Sequence, residues 1–244
     1  MVFCRTNKQQ ERKQKERLER DALILQCATD ILIKDGWQQL NMQAVAAMTD
    51  YSKGTIYQHY RCKEDLLAAL VVSCGKRLLG LMEKALNHQC SVRCRIGLMS
   101  SAFFLNAEIE QGVSSLVSMV KSQDFLEKVS ETRKKELQNI DNDIFRLACM
   151  AFYGEQGRNG KMSAQEVMDA SFGWWSMLWG LNDVKNQGWD IERLGFSEPM
   201  AFFYRGLNIF LDGLGIEQDS EFSHWSDIQT LTQQVFAQEI EQLT

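Results

Sequence analysis

The sequence predicts an all-α protein, and two observations carry that prediction. Only one of the 244 residues is proline, the residue that interrupts helices most strongly. Runs of good helix formers recur along the chain, with apolar residues at three- and four-residue steps. With 45% hydrophobic residues, a chain of this length can bury one large core, or the cores of a small and a larger domain.

A long first helix is predicted over residues 9–35. Gly36 ends it, because glycine suits the left-handed position just past a helix. The apolar residues of this segment recur on one side and form a stripe that can pack on the next helices. They are Leu18, Ala22, Leu25, Ala28 and Leu32.

Residues 40–67 predict two short helices and the start of a third. Asn41 is a good N-cap for the first of them, since its side chain can accept the N–H of Ala44. The helix breaks near Asp50, a residue type that tolerates a left-handed turn. Ser52 then caps a second helix over residues 53–60. With the long first helix, this helix-turn-helix predicts a three-helix head.

The residues after the turn resemble the DNA-binding signature of TetR-type transcriptional regulators. The resemblance rests on Ser52-Lys53-Gly54-Thr55-Ile56-Tyr57, His59-Tyr60 and Lys63-Glu64-Asp65-Leu66-Leu67. It is close over residues 25–67 and architectural beyond them, and it implies that the second short helix enters the major groove. The departures are Asp50 where the family usually has glycine, Tyr51 where it has a small aliphatic residue, and Cys62 where it has Ser or Thr.

We expect this helix to contact double-stranded DNA with the side opposite its packing residues. Gln58 and Lys53 have side chains that read base edges, and Thr55 offers a hydroxyl or a methyl group. Gly54 lets the backbone come close to the duplex. The expected phosphate contacts are Gln43, Ser52, Tyr57, His59 and Lys63.

The charge distribution favours nucleic acid more than the total of −5 does. Residues 1–65 hold 11 Lys and Arg against 9 Asp and Glu, whereas residues 66–244 hold 16 against 23. Basic residues crowd the first twenty positions and suit phosphate contact. The alternative is a solvated arm with no partner. The basic residues of the first twenty positions are Arg5, Lys8, Arg12, Lys13, Lys15, Arg17 and Arg20.

Further helices are predicted after residue 62. A single helix over residues 63–86 is either a lever that can rotate the head or a rigid connector. Ser91, the Ser163–Glu166 capping box and Pro199 each mark a helix start, and the glycine-rich stretch 154–160 marks a break. The remaining predicted helices cover residues 91–111, 116–121, 123–153, 163–187, 199–211 and 226–243.

Two consecutive late helices, over residues 163–187 and 199–211, are too apolar to be surface helices. A second subunit explains them best, because a pair from each protomer forms a two-fold four-helix bundle. The TetR resemblance implies the same homodimer, whose two recognition helices about 34–36 Å apart match one turn of a palindromic operator. The alternative is a large monomeric core.

The resemblance also implies a small-molecule effector, whose identity the sequence does not indicate. Aromatic and Met side chains of the second domain can line an apolar pocket, although such residues are more often plain core. The candidate lining residues are Phe103, Phe104, Met119, Phe125, Phe152, Tyr153, Trp175 and Trp179.

The sequence predicts no enzyme, cofactor or metal site. It contains no phosphate-binding glycine loop, no HExxH and no nucleophile motif. Seven cysteines favour reduced thiols over a disulfide framework. Cys90 and Cys94 near His88 match no strong zinc spacing. Cys62 is either a weak helix cap or an oxidisable thiol beside DNA.

These predictions combine into a cytoplasmic DNA-binding regulator, a ligand-responsive repressor, with no membrane span. Residues 1–62 form the helix-turn-helix domain with its basic N-terminal arm, and residues 63–244 form the effector-binding and dimerisation domain. The competing interpretation is a helical small-molecule-binding or adaptor protein without DNA binding. Salt-dependent binding to a duplex discriminates between the two.

Overall fold

In the computed structural model of the chain, the described residues are 2–153, 156–157, 160–189, 193, 195–220 and 224–243. They form two compact units. Unit 1 comprises residues 1–73 and 111–137, and unit 2 comprises residues 74–110 and 138–244. In the part of the chain that is described, no helix is both long and apolar enough to cross a membrane.

The first helix of unit 1 is 34 residues long, and shorter helices follow it. The helices of this unit are α1 (Val2–Asp35), α2 (Met42–Thr49), α3 (Lys53–His59), the first half of α4 (Lys63–Leu86), α6 (Gln111–Ser114), α7 (Val117–Val120), α8 (Gln123–Leu126) and the first turns of α9 (Glu131–Phe152). The buried residues of α1 to α4 and of the connection between α1 and α2 include Ile24, Ala28, Leu40, Val45 and Ile56. This core fixes the three-helix head.

The local signals in the sequence produce the turn between α2 and α3. The Asn41 side chain accepts the N–H of Ala44 at 2.9 Å, as predicted. Asp50 has φ of 55°, a left-handed conformation that its short polar side chain tolerates. Ser52 accepts the N–H of Thr55 at 3.1 Å and starts α3. Gly36 ends α1 with φ of 81°. Each of these end points is confirmed.

Unit 2 is organised around α5 (Val92–Ile109), most of which is buried. Three polar contacts, two of them buried and one partly buried, connect α5 to later helices. Trp174 Nε1 donates to Ser100 Oγ at 2.9 Å, and Tyr204 Oη donates to the Gly97 carbonyl at 2.6 Å. Thr232 Oγ1 donates to the Ser101 hydroxyl, at 2.8 Å. These bonds satisfy polar groups that would be costly to bury alone.

The other elements of unit 2 follow in chain order. They are a two-stranded antiparallel ribbon, β1 (Gln156–Gly157) and β2 (Gly160–Lys161), then α10 (Ala164–Asn186), α11 (Pro199–Leu214), α12 (Trp225–Val235), α13 (Ala237–Ile240) and a 3₁₀ turn (Glu241–Leu243). The predicted capping box is present, with the Ser163 N–H donating to Glu166 Oε2 at 2.8 Å. Residues 154–155 and 158–159 of the predicted glycine-rich break lie outside the described residues.

Three predicted helix boundaries are wrong. α1 begins at Val2 rather than near residue 9, because a charged sequence without glycine or proline has nothing to stop the helix. The helix predicted over 123–153 is two helices, α8 and α9. The last helix breaks at Phe236, which is fully buried with φ of −111°. Such breaks arise from tertiary contacts, which periodicity does not register.

The break between α8 and α9 has a visible cause in unit 1. Asp65, only 4% exposed, accepts the backbone N–H of Ser130 at 2.7 Å. Arg61 Nη2 donates to the Lys128 carbonyl at 2.9 Å. Backbone groups that would have continued a helix are thus bound by side chains at the start of α4.

Candidate nucleic-acid interface

The helix α3 has one buried face and one exposed face. Ile56 is fully buried, and Tyr60 just beyond the helix is 1% exposed. Tyr57 is 50% exposed, and Lys53 and Gln58 are also exposed. The face opposite the core is therefore available to a partner.

The C-terminal end of α3 is anchored to α1 through Asp21. Tyr60 Oη donates to Asp21 Oδ1 at 2.7 Å, and His59 Nδ1 lies 3.1 Å from the same oxygen. Burial, followed by the hydrogen bond to Asp21, raises the pKa of Tyr60. The Arg133 guanidinium of α9 lies 5.7 Å from the Tyr60 ring centroid. Tyr60 is thereby held as a neutral phenol between two other helices.

The N-terminal end of α3 is set by its own side chains and by α2. The hydroxyls of Ser52 and Thr55 lie 2.9 Å apart, so each already has a partner. Lys53 Nζ donates to Gln43 Oε1 at 3.3 Å. This bond brings two predicted contact residues, one from each short helix, onto the same exposed surface. Gly54 is exposed, with only Ser52 Oγ within 4 Å of the position of an added Cβ.

The two remaining predicted contacts, His59 and Lys63, are engaged within unit 1. The His59 side chain is 6% exposed. Lys63 Nζ donates to the Gln38 carbonyl at 3.3 Å and lies 5.1 Å from the Trp37 ring centroid. Desolvation lowers the pKa of Lys63. A phosphate contact from either residue would compete with these partners.

Cys62 lies at the start of α4, where its carbonyl accepts the N–H of Leu66 at 3.2 Å. Its thiol donates to the Lys128 carbonyl at 3.6 Å. The thiol therefore points to the segment before α9 and occupies the capping position where Ser or Thr was expected. Its oxidation stays a prediction.

The aromatic and Met residues predicted to line an effector pocket divide between the units. Met119 and Phe125 belong to unit 1, and the other six belong to unit 2. Phe103 packs edge-on against Trp175 and Trp179, with ring centroids 5.7 and 5.9 Å apart. Tyr153 is 76% exposed. The edge-to-face rings of Phe103, Trp175 and Trp179 pack against one another in unit 2. The assignment of the eight residues to an effector pocket stays a prediction.

Unit 2 does contain an apolar cleft of about 380 Å³, which the sequence did not indicate. The residues that line it come from α10, α11 and the connection between them, and almost all of them are hydrophobic. The lining residues are Met177, Gly180, Leu181, Val184, Trp189, Phe196, Pro199, Phe202, Phe203 and Gly206. A large aromatic residue on each side of a helix connection, as at 189 and 196, was the available signal. Within the described residues, no group of three or more His, Cys, Asp or Glu side chains can hold a metal ion.

Asp21 and Arg133 are functional candidates that the sequence did not single out. Both act on the end of α3 from distant positions in the chain, and neither belongs to a motif. What they hold in place is a short, capped helix that follows a tight turn and exposes one face. That arrangement defines a DNA-binding protein of the helix-turn-helix class.

Comparison with known proteins shows which family of helix-turn-helix proteins this region matches. Residues 24–70 match the family described as bacterial regulatory proteins, tetR family. The resemblance to TetR-type transcriptional regulators that was inferred from the sequence is confirmed over these residues.

The relatives share the fold at low sequence identity. A fatty acid metabolism regulator protein of Bacillus subtilis strain 168 is 22% identical over 165 residues, covering 66% of this chain and 84% of that protein. The fatty acid degradation regulator FadR of Bacillus halodurans has a TM-score of 0.59 at 13% identity, over 81% of this chain and 97% of that one. FadR of Bacillus subtilis in complex with stearoyl-CoA has a TM-score of 0.53 at 16% identity, over 79% and 96%.

Proposed function

We propose that the protein represses transcription as a homodimer that binds a palindromic operator and releases it when an apolar small molecule binds. The observation that carries the proposal is the exposed face of α3, anchored from behind by Ile56 and Tyr60. The family match over residues 24–70 supports the DNA-binding role. The boundary near residue 62 between DNA-binding and effector domains, and a cytoplasmic location, belong to the same proposal.

Sequence-specific DNA binding is tested by measuring the affinity of the protein for a duplex from the upstream region of its own gene. Gln58→Ala should weaken binding by about 1–3 kcal/mol and relax specificity at one base pair. The control Gln229→Ala removes another exposed glutamine, from α12, and should change nothing. Absent or salt-insensitive binding by the unmodified protein would overturn the DNA-binding proposal. It would favour the ligand-binding or adaptor alternative.

The homodimer is supported by apolar side chains that α10 and α11 expose. Phe172 and Ile209 are 65% and 74% exposed, and Met168 and Phe202 are 49% and 46% exposed. A surface of this kind marks an interface more often than open solvent. Ile209→Asp should convert a species of twice the 28.1 kDa chain mass into one chain in sedimentation equilibrium. Met150→Asp, at a similarly exposed methionine of α9, is the control.

The effector is proposed to carry a long alkyl chain. The cleft between α10 and α11 has an apolar lining and a volume of about 380 Å³, which is within the range of small-molecule sites. Two relatives are named for fatty acid metabolism or degradation, and one was solved with stearoyl-CoA. Fatty acyl thioesters are therefore the first compounds to test for release of the protein from DNA.

The cleft itself is tested by filling it. Gly180 lines the cleft, and an added Cβ there would meet nothing within 4 Å. Gly180→Leu should reduce binding of stearoyl-CoA, measured by calorimetry, while leaving DNA affinity intact. Gly80→Leu is the matched control, because Gly80 is also helical, exposed and unobstructed. Equal ligand binding by both variants would place the effector elsewhere.

A further inference from the structure

Cys90 and Cys94 lie on either side of the cap that starts α5. Ser91 is the N-cap, and its side chain accepts the N–H of Cys94 at 3.1 Å. Its carbonyl accepts the N–H of Arg95 at 2.9 Å. Cys90 comes directly before the cap, and Cys94 is in the first turn of the helix. The cap therefore turns the chain so that the side chains before and after it can meet.

The two thiols are in contact and differ in exposure. The Cys94 S–H donates a hydrogen bond to the Cys90 sulfur. Cys94 belongs to the apolar core of unit 2, and Cys90 packs against that core. Cys94 is 0% exposed, whereas Cys90 is partly exposed, and both thiols are free. A small reagent from solvent can therefore reach Cys90 first.

The groups around the pair favour a thiolate at Cys90 and a thiol at Cys94. The hydrogen bond from Cys94 lowers the pKa of Cys90, and the Arg95 guanidinium adds to this effect. Burial and the Asp219 carboxylate oppose the fall in this pKa without reversing it. The positive end of the 18-residue α5 also favours the thiolate. The same hydrogen bond, followed by burial, raises the pKa of Cys94. Cys90 is thus the nucleophile, and Cys94 keeps its proton.

A metal site is a poorer explanation of this pair. Zinc needs more ligands than two sulfurs supply, and within the described residues no group of three or more His, Cys, Asp or Glu side chains can hold a metal ion. A nucleophilic, accessible thiol beside a second thiol is instead the arrangement of redox-active cysteine pairs.

We propose that Cys90 and Cys94 are a redox-active pair that hydroperoxides oxidise to a disulfide. The Cys90 sulfur attacks one oxygen of the hydroperoxide. The S–O bond forms, the O–O bond breaks, and the other oxygen takes up a proton and leaves as water or an alcohol. Cys90 is then a sulfenic acid. The Cys94 sulfur attacks the Cys90 sulfur, the S–S bond forms, and the hydroxyl leaves as water with the Cys94 proton. The two thiols lose two electrons, which the hydroperoxide gains.

The disulfide acts on the part of unit 2 where α5 begins. The Ser91 hydroxyl donates to the Asp219 carboxylate, and Arg93 Nε donates to the Glu217 carbonyl at 3.1 Å. A covalent bond across the cap therefore constrains the segment to which the residues after α11 are bonded. None of these groups lines the apolar cleft or belongs to α3, so the proposal does not depend on the DNA-binding function.

The test treats the unmodified protein with stoichiometric hydrogen peroxide, blocks the remaining thiols by alkylation and digests the chain with trypsin. Trypsin cuts after Arg93, between the two cysteines. A disulfide between them therefore holds the peptide 85–93 and the dipeptide 94–95 together. The linked peptides should be detected by mass spectrometry and should separate after reduction with dithiothreitol. Their absence after peroxide treatment, or a disulfide from Cys90 to a second chain in their place, would overturn the proposal.

Single variants separate the two roles. Cys94→Ser should leave a sulfenic acid at Cys90 that dimedone traps, with Cys94→Ala as a second variant if serine is not tolerated in the core. Cys90→Ser should leave Cys94 unmodified, because no reagent reaches it directly. Oxidation of Cys94 in that variant would contradict the assigned roles. Circular dichroism checks that each variant keeps its helices.

Cys149 provides the matched control, since it is another partly exposed free thiol of unit 2. Cys149→Ser should form the disulfide as the unmodified protein does. In the unmodified protein, Cys90 should be oxidised at least about tenfold faster than Cys149, because only Cys90 has a thiol donor and a helix N-terminus beside it. Equal oxidation rates at the two residues would overturn the proposal.

Discussion

Arg93 should be one of the most costly residues to replace in unit 2. Its guanidinium is 4% exposed and connects the first turn of α5 to the end of α11. Nη2 donates to Asp212 Oδ1 and to the Ile216 carbonyl, both at 2.7 Å. Nε donates to the Glu217 carbonyl at 3.1 Å, and Nη1 donates to Asn208 Oδ1 at 3.0 Å. The planar fork thus satisfies two carbonyls just past the end of α11 and two polar side chains of its last turns.

Arg93→Met keeps most of the aliphatic stem and removes every one of these donors. Breaking a buried ion pair by removing one partner costs about 3–5 kcal/mol. The lower end applies here, because the Asp212 side chain is 45% exposed and water can rehydrate it. We expect a loss of about 3 kcal/mol in the free energy of unfolding. With a urea dependence of about 3 kcal/mol per molar, this loss lowers the midpoint by about 1 M.

Urea unfolding followed by tryptophan fluorescence, at one fixed protein concentration, measures this loss. Arg146→Met is the control, since Arg146 is 61% exposed and its one ion pair among the described residues is with Asp143, at 3.4 Å. A surface pair of that kind contributes about 0–1 kcal/mol. Arg93→Lys should recover only part of the loss, because an ammonium lacks the planar fork. A loss below about 1 kcal/mol for Arg93→Met would refute the reasoning that the fork holds the end of α11 to α5.

The other predictions concern three smaller contacts. Tyr60→Phe should cost about 1.5–3 kcal/mol at neutral pH, because it removes a hydrogen bond to a charged group. Since the folded pKa of Tyr60 is raised, its contribution is complete below the unfolded value of about 10 and falls as the pH rises above it. The difference between the two proteins in urea unfolding should therefore shrink at pH 10.5. Asp65→Ala should cost about 1–3 kcal/mol by leaving the N–H of Ser130 without an acceptor, and Asp65→Asn should restore most of it; equal losses would contradict this role. A hydrogen bond from the Cys94 thiol lowers the pKa of Cys90, so Cys94→Ala should move the pH midpoint of Cys90 alkylation upward, and Cys94→Ser should move it less, as read by peptide mass spectrometry.

Local signals predicted the head of the protein well. Caps at Asn41 and Ser52, and the left-handed residue at Asp50, act within three or four residues of themselves, so the sequence contains their whole cause. The exposed face of α3 followed from the burial of Ile56 and Tyr60 at helical spacing. Each of these features depends on neighbours in sequence, which is why they could be predicted.

Contacts between distant residues limited the prediction of the site. His59 and Lys63 fit a phosphate-binding pattern, yet in the folded chain they bond to Asp21 and to the Gln38 carbonyl. Asp21 is 38 residues from His59 and looks like any other acidic residue of α1. No periodicity relates the two, because their pairing depends on how α1 and α3 pack. Sequence patterns therefore identify which face of α3 is exposed and do not identify which of its side chains are already engaged.

The described lining of the cleft includes none of the aromatic residues that the sequence predicts for an effector pocket. Rings such as Phe103 and Trp179 attract one another edge-on and fill the space between helices. A cleft needs places where side chains are missing, and the lining between α10 and α11 includes Gly180 and Gly206. Glycines within these apolar helices thus mark where the cleft opens, beside aromatic residues such as Trp189 and Phe196 that also line it. This is also why Gly180→Leu is a sharper test of the cleft than removal of any ring, since it adds volume where the helices leave space and removes no existing packing.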